Sequence, residues 1–234
     1  SNPSSGNLHP TEAYIATGPL GVPSAAAVLE APLADFGETP GVWHYAPDRH
    51  LLERRSVFDR RAWDRAGIGV ATEAFIVALT SIHWRESWKY GERAFRYCQH
   101  DLGHAIAALG LSAAMCGWRL TMLAAWPQRA VGTLIGIDRD EDYAEAEREE
   151  PACALLVTRG LVPDMPRMGL VPNLWFGRAS QLSEDHVTWT FIDEVARATE
   201  DPGHGPTAEH ATHATHAEKI TSALSASSAV DVDR

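Results

Sequence analysis

Residues 87–118 read "SWKYGERAFRYCQHDLGHAIAALGLSAAMCGW", and the run changes character halfway along. Its first half is dense in Lys, Arg, Tyr and Trp, whereas the second half, from Ala105, is almost entirely small or apolar. The pattern predicts a helix from about Asp101 to Cys116, with Asp101 as its N-terminal cap or first-turn residue and Gly117 just past its end. Because small or apolar side chains lie on almost every face, we expect burial all round.

Small residues line one side of this predicted helix. They recur every three or four positions, at Gly103, Ala107, Gly110 and Ala114. That spacing places them on one stripe, where a second helix can approach closely. The polar aromatic run therefore leads into an element suited to tight packing.

The part of the chain before this run favours strands. "TEAYIAT" (11–17) and "GVWHY" (41–45) alternate with period two, and "LLERR" (51–55) returns after the turn "APDRH" as the second arm of a hairpin. Residues from Asp59 to Ala78 look mostly helical. The overlapping run "ATEAFIVALTSI" (71–82) reads as a buried strand or a short helix, and periodicity does not decide between them.

The part after the run mixes both kinds of element. We expect a strand in "RLTMLAAW", a helix in "PQRAVGTLIG" with its proline in the first turn, an acidic loop or helix in "DRDEDYAEAEREEP" and a buried strand in "ACALLVTRG". A last helix ends in "DEVARATEDPG". Irregular alternation of this kind predicts α+β architecture, with a domain over residues 1–200 and a disordered tail or linker over 201–234.

Composition limits the class of protein. The 234 residues carry a formal net charge of −11, which argues against a nucleic-acid partner because phosphate neutralisation needs a basic face. The longest apolar run is too short to span a bilayer, and no signal peptide is recognisable. Three widely spaced cysteines favour buried free thiols over disulfides or zinc. We therefore expect a cytoplasmic protein without a membrane or nucleic-acid partner.

The opening stretch "PSSGNLHP" (3–10) combines two hydroxyls, a glycine and an asparagine in one loop. Such a loop offers several donors to a flat heteroaromatic ligand or to a phosphate. On composition alone, a proline-bounded turn that leads into a strand is the favoured interpretation.

Here the sequence resembles a known family. "PSSGNLHP" is similar to the PSSxNxxP loop of the FMN-dependent nitroreductase superfamily, and "KYGERAFRYCQHDLGHAIAALGLSAAMCGW" resembles the matching block of its SagB-type dehydrogenase branch. That branch includes the oxidases that convert thiazolines and oxazolines in peptides to thiazoles and oxazoles. "GVWHYAPDRHLLERR" and "LIGIDRDEDYAEAEREEPACALLVTRG" also resemble the branch. The similar blocks cover most of residues 1–160 in the family's order.

The resemblance implies a nitroreductase-like fold, with a mostly antiparallel sheet flanked by helices, and FMN as cofactor. It places the loop along the flavin, so the expected cofactor-binding residues there are Pro3, Ser4, Ser5 and Asn7. The small-residue helix would form a subunit interface, because flavin sites in this family are shared between two subunits. A homodimer or a tandem partner domain is therefore expected.

The resemblance also implies the catalytic residues. Azoline oxidation needs a base for a carbon-bound proton while hydride leaves to flavin N5. Lys89 and Tyr90 fall on the adjacent Lys-Tyr pair implicated in the azoline-oxidising relatives, with Tyr90 as proton acceptor and Lys89 as the cation that favours its ionised form. Without the resemblance, the pair reads as a surface charge beside a half-buried packing residue.

Two arginines follow in the same segment. Arg93 and Arg96 can make forked contacts to the flavin phosphate or to a partner's carboxylate, and solvated helix charges are an equally good reading. Arg178 resembles a C-terminal phosphate contact only weakly. His100 and His104 are four apart, but no third ligand joins them, and we expect no metal. The histidines at 210, 213 and 216 belong to the expected disordered tail.

The favoured function is FMN-dependent oxidation of a small or peptide substrate. A nitro- or quinone reductase that uses NAD(P)H is the alternative within enzymes, although nitroreduction needs no base for a substrate carbon. A different class is a non-catalytic, scaffolding half of a tandem protein, since residues 173–199 resemble the linker of double-length members. Family members also carry a basic, phosphate-clamping segment before the loop. Since Ser1 opens this sequence, we expect a fragment that binds FMN weakly or not at all.

Overall fold

Seven strands form one sheet in the order β5-β6-β4-β1-β2-β3-β7, and every neighbouring pair is antiparallel. The structure is a computed structural model that describes residues 2–18, 39–68, 73–161, 165–184, 187 and 189–203. The strands are β1 (Thr11–Thr17), β2 (Gly41–Ala46), β3 (Leu51–Val57), β4 (Ala74–Ser81), β5 (Arg119–Met122), β6 (Glu150–Thr158) and β7 (Leu174–Trp175). The expected tail from residue 204 onward, with its histidines, lies outside the described residues.

Five α-helices flank the sheet within the described part of the chain. They are α1 (Arg60–Ala66), α2 (Trp84–Tyr90), α3 (Ala94–Met115), α4 (Gln128–Ile135) and α5 (Thr190–Ala198). Short 3-10 turns occur at Ser5–Asn7, Gly91–Arg93 and Asp140–Asp142. The predicted α+β architecture, with an antiparallel sheet between helices, is confirmed. None of the described helices is both long and apolar enough to cross a membrane.

Strand β4 holds the centre of the fold because both of its faces are buried. Ile76 and Ala78 join a cluster on one face with residues of α1 and α4, whereas Val77 and Leu79 pack on the other face beneath α3. Alternate side chains of a strand point to opposite faces, so burial of both faces gives a continuous apolar run. The prediction of helix as far as residue 78 is therefore wrong for residues 74–78, which belong to β4.

Helix α3 differs from its prediction at both its start and its surface. It begins at Ala94, so Asp101 lies inside the helix and is not its cap. Burial all round is also wrong, because Leu111 is 69% exposed and Met115 is 88% exposed. Only one side packs on the sheet, through Ala105 and its partly buried neighbours. The apolar outer side has no covering element in the described part of the chain.

Smaller predictions had mixed outcomes. The β2–β3 hairpin, the β6 strand and helices α4 and α5 are present as expected. The acidic segment is a loop with one 3-10 turn at Asp140–Asp142. All three cysteines are free, but Cys116 is exposed, which corrects the expectation that all three are buried.

Candidate functional site

The loop Pro3–Asn7, here called the PSSGN loop, has an unusual backbone. Gly6 has φ +61°, and Asn7 and His9 also have positive φ, at +59° and +49°. Left-handed conformations are uncommon outside glycine, although asparagine and histidine adopt them more readily than most residues. Three such residues in four positions bend the chain back sharply, so that the loop's polar groups face helices α2 and α3.

Asp101 of α3 anchors this loop. Its carboxylate accepts hydrogen bonds from the Ser4 hydroxyl at 2.6 Å, the Ser5 amide at 3.0 and 3.1 Å, and the Ser5 hydroxyl at 3.3 Å. Asp101 is 1% exposed, and a buried carboxylate needs donors of this kind to remain charged. The two serines are therefore held by residue-specific contacts almost a hundred positions away in the chain.

A second tether comes from α2. Arg85 donates to the backbone carbonyl of His9 at 2.8 Å and forms an ion pair with Glu12 at 2.5 Å. Glu12 also accepts from His44 at 2.8 Å, which connects the loop's far end to strands β1 and β2. The ion pair and the hydrogen bond from His44 more than offset burial, and so hold the pKa of Glu12 below its ordinary value.

The loop meets the predicted Lys-Tyr pair at Gly6. A Cβ placed on Gly6 would overlap the Tyr90 hydroxyl and would lie 2.8 Å from the Lys89 Nζ atom. Only glycine therefore lets the loop backbone approach these two groups. Gly6 is 83 positions from Lys89 and 84 positions from Tyr90 in the sequence, and the fold brings the three residues together.

The Lys89 ammonium and the Tyr90 hydroxyl are available to bind an outside molecule. The Lys89 ammonium lies 5.3 Å from the centre of the Tyr90 ring, and the Tyr90 ring meets Tyr97 edge-on at 4.7 Å. Neither the ammonium nor the Tyr90 hydroxyl makes a hydrogen bond or ion pair within the described residues. Lys89 is exposed and Tyr90 is half-buried, so an outside molecule can reach both.

The remaining candidates are less closely associated. Pro3 is exposed at the start of the loop, and Asn7 accepts a hydrogen bond of 2.9 Å from the His9 ring in one of its tautomers. Arg93 and Arg96 are exposed and have no side-chain ion pair or hydrogen bond in the described ranges. The structure therefore joins Ser4, Ser5 and Gly6 to the Lys-Tyr pair and leaves both arginines at the surface.

Sequence reasoning missed Asp101, Arg85 and Glu86 as parts of this site. One signal was available for Asp101: it shares the buried side of α3 with Ala94, Cys98 and Ala105. An acid on a buried stripe is rarely unpaired, so its position predicts a partner. Arg85 and Glu86 lie in a short helix whose buried side the sequence pattern does not reveal.

With this geometry in place, comparison with known proteins identifies the family. Residues 1–146 match the family model described as "Nitroreductase family". This match spans more than half of the chain and includes the PSSGN loop, the Lys-Tyr pair and α3. The chain belongs to the nitroreductase family, a family of oxidoreductases that typically depend on a flavin. No curated protein sequence matches the chain.

The chain is also similar to solved structures, and the first of those described here supports the fold. An Anabaena variabilis protein assigned as a nitroreductase is similar at 18% identity and a TM-score of 0.53, over 88% of this chain. The Escherichia coli microcin synthetase McbBCD, solved with truncated pro-MccB17, is similar at 19% identity and a TM-score of 0.47, over 70% of this chain. A Ralstonia eutropha protein assigned as a nitroreductase is similar at 15% identity and a TM-score of 0.44, over 69% of this chain. The chain spans 38%, 56% and 63% of these three proteins, respectively.

The residues present suit a flavin. Gly6 brings the loop backbone against the Tyr90 hydroxyl and the Lys89 ammonium, so polar groups suited to a flavin ring lie together at this corner. Lys89 supplies a cation for the negative charge that a reduced flavin carries, and the Asn7 amide supplies a further donor. Arg93 and Arg96 offer guanidinium groups for a phosphate. Within the described residues, no three His, Cys, Asp or Glu side chains form a metal-binding group.

Proposed function

We propose that this chain is an FMN-dependent oxidoreductase of the SagB type that oxidises azoline rings in peptides to azoles. The observation that carries the proposal is the meeting of the PSSGN loop with Lys89 and Tyr90 at Gly6. The family membership supports flavin chemistry, and the pair of unpartnered polar groups supports a proton transfer beside it.

In this proposal each residue has a separate task. Ser4, Ser5, Gly6 and Asn7 hold the loop against the flavin, while the exposed arginines Arg93 and Arg96 face its phosphate. When bound, FMN supplies the acceptor for the hydride that leaves the azoline ring carbon. The Tyr90 oxygen takes the proton from the neighbouring carbon, so the ring loses one hydride and one proton and becomes aromatic. The Lys89 ammonium stabilises the ionised Tyr90 oxygen that this step requires.

We also propose a homodimer, formed through the outer side of α3. Its large apolar residues Leu111 and Met115 are exposed, and no described element of the chain covers them. Small residues beside them, Gly103, Ala107 and Ala114, permit close approach. A second copy of α3 is the natural cover for this surface.

Two measurements test the function. An absorbance scan of the purified chain with FMN should show bound-flavin bands, and a thiazoline peptide should then be oxidised to the thiazole. Tyr90→Phe should retain the flavin bands but lower azoline oxidation by about a hundredfold or more, the usual contribution of a positioned base.

The matched control is Tyr97→Phe, which removes a hydroxyl from the neighbouring ring and keeps the edge-on contact. This variant should oxidise azolines at nearly the normal rate. Unchanged turnover in Tyr90→Phe would remove Tyr90 from the mechanism. A chain that reduces nitro compounds with NAD(P)H but ignores azolines would favour the reductase alternative.

A further inference from the structure

A carboxyl group lies buried directly behind the Lys-Tyr pair. Glu86 is 0% exposed, and neither of its oxygens has a hydrogen-bond partner in the described part of the chain. It sits on α2, three residues before Lys89 and four before Tyr90, so it shares their side of the helix. A buried carboxyl that no donor reaches is costly to ionise, so Glu86 favours its neutral form, in which it can donate a hydrogen bond to Asp101.

The groups that act on Glu86 come from both helices of this corner. Within the described residues they are Asp101 and Cys98 on α3 and Lys89 on α2. Burial raises the pKa of the Cys98 thiol far above its ordinary value, so this group stays neutral. The electrostatics of Glu86 therefore depend on one neighbouring carboxylate and one ammonium.

Glu86 and Asp101 form an unequal pair. The loop donors reach Asp101, and these hydrogen bonds favour its charged form. Glu86 receives none of them, so the proton belongs on Glu86. Burial first, and then the Asp101 charge, raise the pKa of Glu86 to about 7.

We infer that Glu86 is a positioning residue whose protonation controls how firmly Asp101 holds the PSSGN loop. Only one consequence of this inference rests on the proposed function: the PSSGN loop, when Asp101 holds it, is the form that binds flavin. With Glu86 neutral, Asp101 keeps its full charge for Ser4 and Ser5. With Glu86 ionised, two buried carboxylates oppose each other, and the pair relieves the repulsion by moving apart.

Lys89 responds to the same change. Its ammonium is the cation that acts on Glu86 from the same helix, and its attraction favours ionised Glu86. Loss of the Glu86 proton therefore draws Lys89 inward, away from Gly6 and the Tyr90 ring. Both effects loosen the site as the pH rises. A flavin that selects the held loop should accordingly bind more tightly below pH 7 than above it.

The first experiment uses the flavin-free chain. The Ser5 backbone amide donates to both oxygens of Asp101, so its nitrogen-proton NMR signal reports on this carboxylate. In the wild-type chain the signal should titrate with a midpoint near pH 7, the region expected for Glu86. Glu86→Gln cannot ionise and should abolish that titration. Glu92→Gln, which removes an exposed acid between the same two helices, should leave it unchanged.

A wild-type Ser5 signal that stays constant from pH 5.5 to 8.5 would overturn the inference, and this needs no variant to fold. A titration that survives Glu86→Gln would also overturn it. Fluorescence titration with FMN supplies the second readout. The wild-type Kd should weaken by up to about tenfold between pH 6 and 8.5, the effect of a one-unit pKa change on binding.

Glu86→Gln should show a smaller pH effect on the FMN Kd. Dividing the Kd of one protein by the Kd of the other at each pH cancels the effect of titrating the FMN phosphate itself. An equal pH effect in both proteins would contradict the coupling. A chain that binds no FMN at any pH would contradict the proposed function. The Ser5 titration would still decide the role of Glu86, so the two failures can be told apart.

Discussion

At the scale of single residues, Gly6 determines whether the loop and the Lys-Tyr pair can share a site. Two properties act at this position: a positive φ and a close approach to two side chains. The chain offers a way to separate them, because Gly67 has a similar φ of +75° but has no atom within 4 Å of its notional Cβ. Alanine at position 67 therefore introduces backbone strain without a steric overlap.

We predict that Gly6→Ala and Gly67→Ala both lower the free energy of unfolding by about 1–2 kcal/mol, the cost of a left-handed non-glycine residue. Gly6→Ala should in addition weaken FMN binding by about tenfold or more, because its methyl group displaces Tyr90 and Lys89. Urea denaturation and FMN titration measure the two effects. If both variants bind FMN like the wild type, the flavin does not lie at Gly6.

The sequence predicted some residues of the site and not others, for a physical reason. Ser4, Ser5, Lys89 and Tyr90 lie in compact motifs, so the family resemblance was enough to make them candidates. Asp101 and Arg85 act through contacts with residues distant in the chain, and a single sequence contains no record of such contacts. The pairing of Ser4 with Asp101, at 2.6 Å, emerges only when α3 crosses the loop.

At the scale of elements, α3 explains why apolar composition alone misled the prediction. A helix that is apolar on every face is buried by something, but the sequence does not say whether its own chain or another molecule provides the cover. Here the sheet covers one side only. Gly110 belongs to the covered side, since its notional Cβ lies 3.7 Å from the Leu120 side chain. A dimer test is therefore better placed at Leu111 and Met115.

We predict that Leu111→Glu combined with Met115→Glu converts a dimer to a monomer. Burying each large apolar side chain contributes about 1.5–3 kcal/mol, so losing two should raise the dimer dissociation constant by a hundredfold or more. Sedimentation velocity reports the change in mass. The control is Leu161→Glu, which adds charge at another residue, 78% exposed and outside α3. A double variant that remains dimeric would place the interface elsewhere.

Strand β4 shows the opposite limit of sequence reasoning. Its run of apolar residues satisfied both a strand and a short helix, because a strand buried on both faces loses the alternation that identifies it. The hairpin of β2 and β3 kept its turn and its polar positions, and it was predicted correctly. Strands with one solvent-exposed face were thus easier to predict than a strand buried on both faces.

At the scale of the whole molecule, a polar network crosses the sheet and reaches the loop. His44 of β2 lies between Glu12 and Glu53, at 2.8 and 3.1 Å, and Glu12 continues to Arg85. Glu149 accepts hydrogen bonds from Tyr14 and Thr80, at 2.9 and 2.7 Å, on neighbouring strands. The stability of the fold should therefore depend on pH through groups that also support the site.

The direction follows from the individual groups. Burial lowers the pKa of His44, but hydrogen bonds and charges from Glu12 and Glu53 more than offset this and raise its pKa above the ordinary 6.5. Its contribution is thus complete below pH 6.5 and is lost as the pH rises through the folded-state value. The pKa of Glu86 is raised from its ordinary 4.5 to about 7, so its contribution to stability is also lost as the pH rises, starting from pH 4.5. The lowered pKa values of Glu12 and Glu53 stabilise the fold above pH 4.5 and lose that effect in acid.

We predict that the free energy of unfolding is greatest at about pH 4.5–5 and falls as the pH rises to 8.5. His44→Gln should cost about 1 kcal/mol at pH 6, because charged hydrogen bonds are roughly twice as strong as neutral ones, and less at pH 8.5. Urea denaturation at several pH values measures both curves, with the exposed His100→Gln as the control. A His44→Gln curve parallel to the wild type would show that His44 does not titrate in the folded protein, and the pH dependence would then have to come from the buried glutamates.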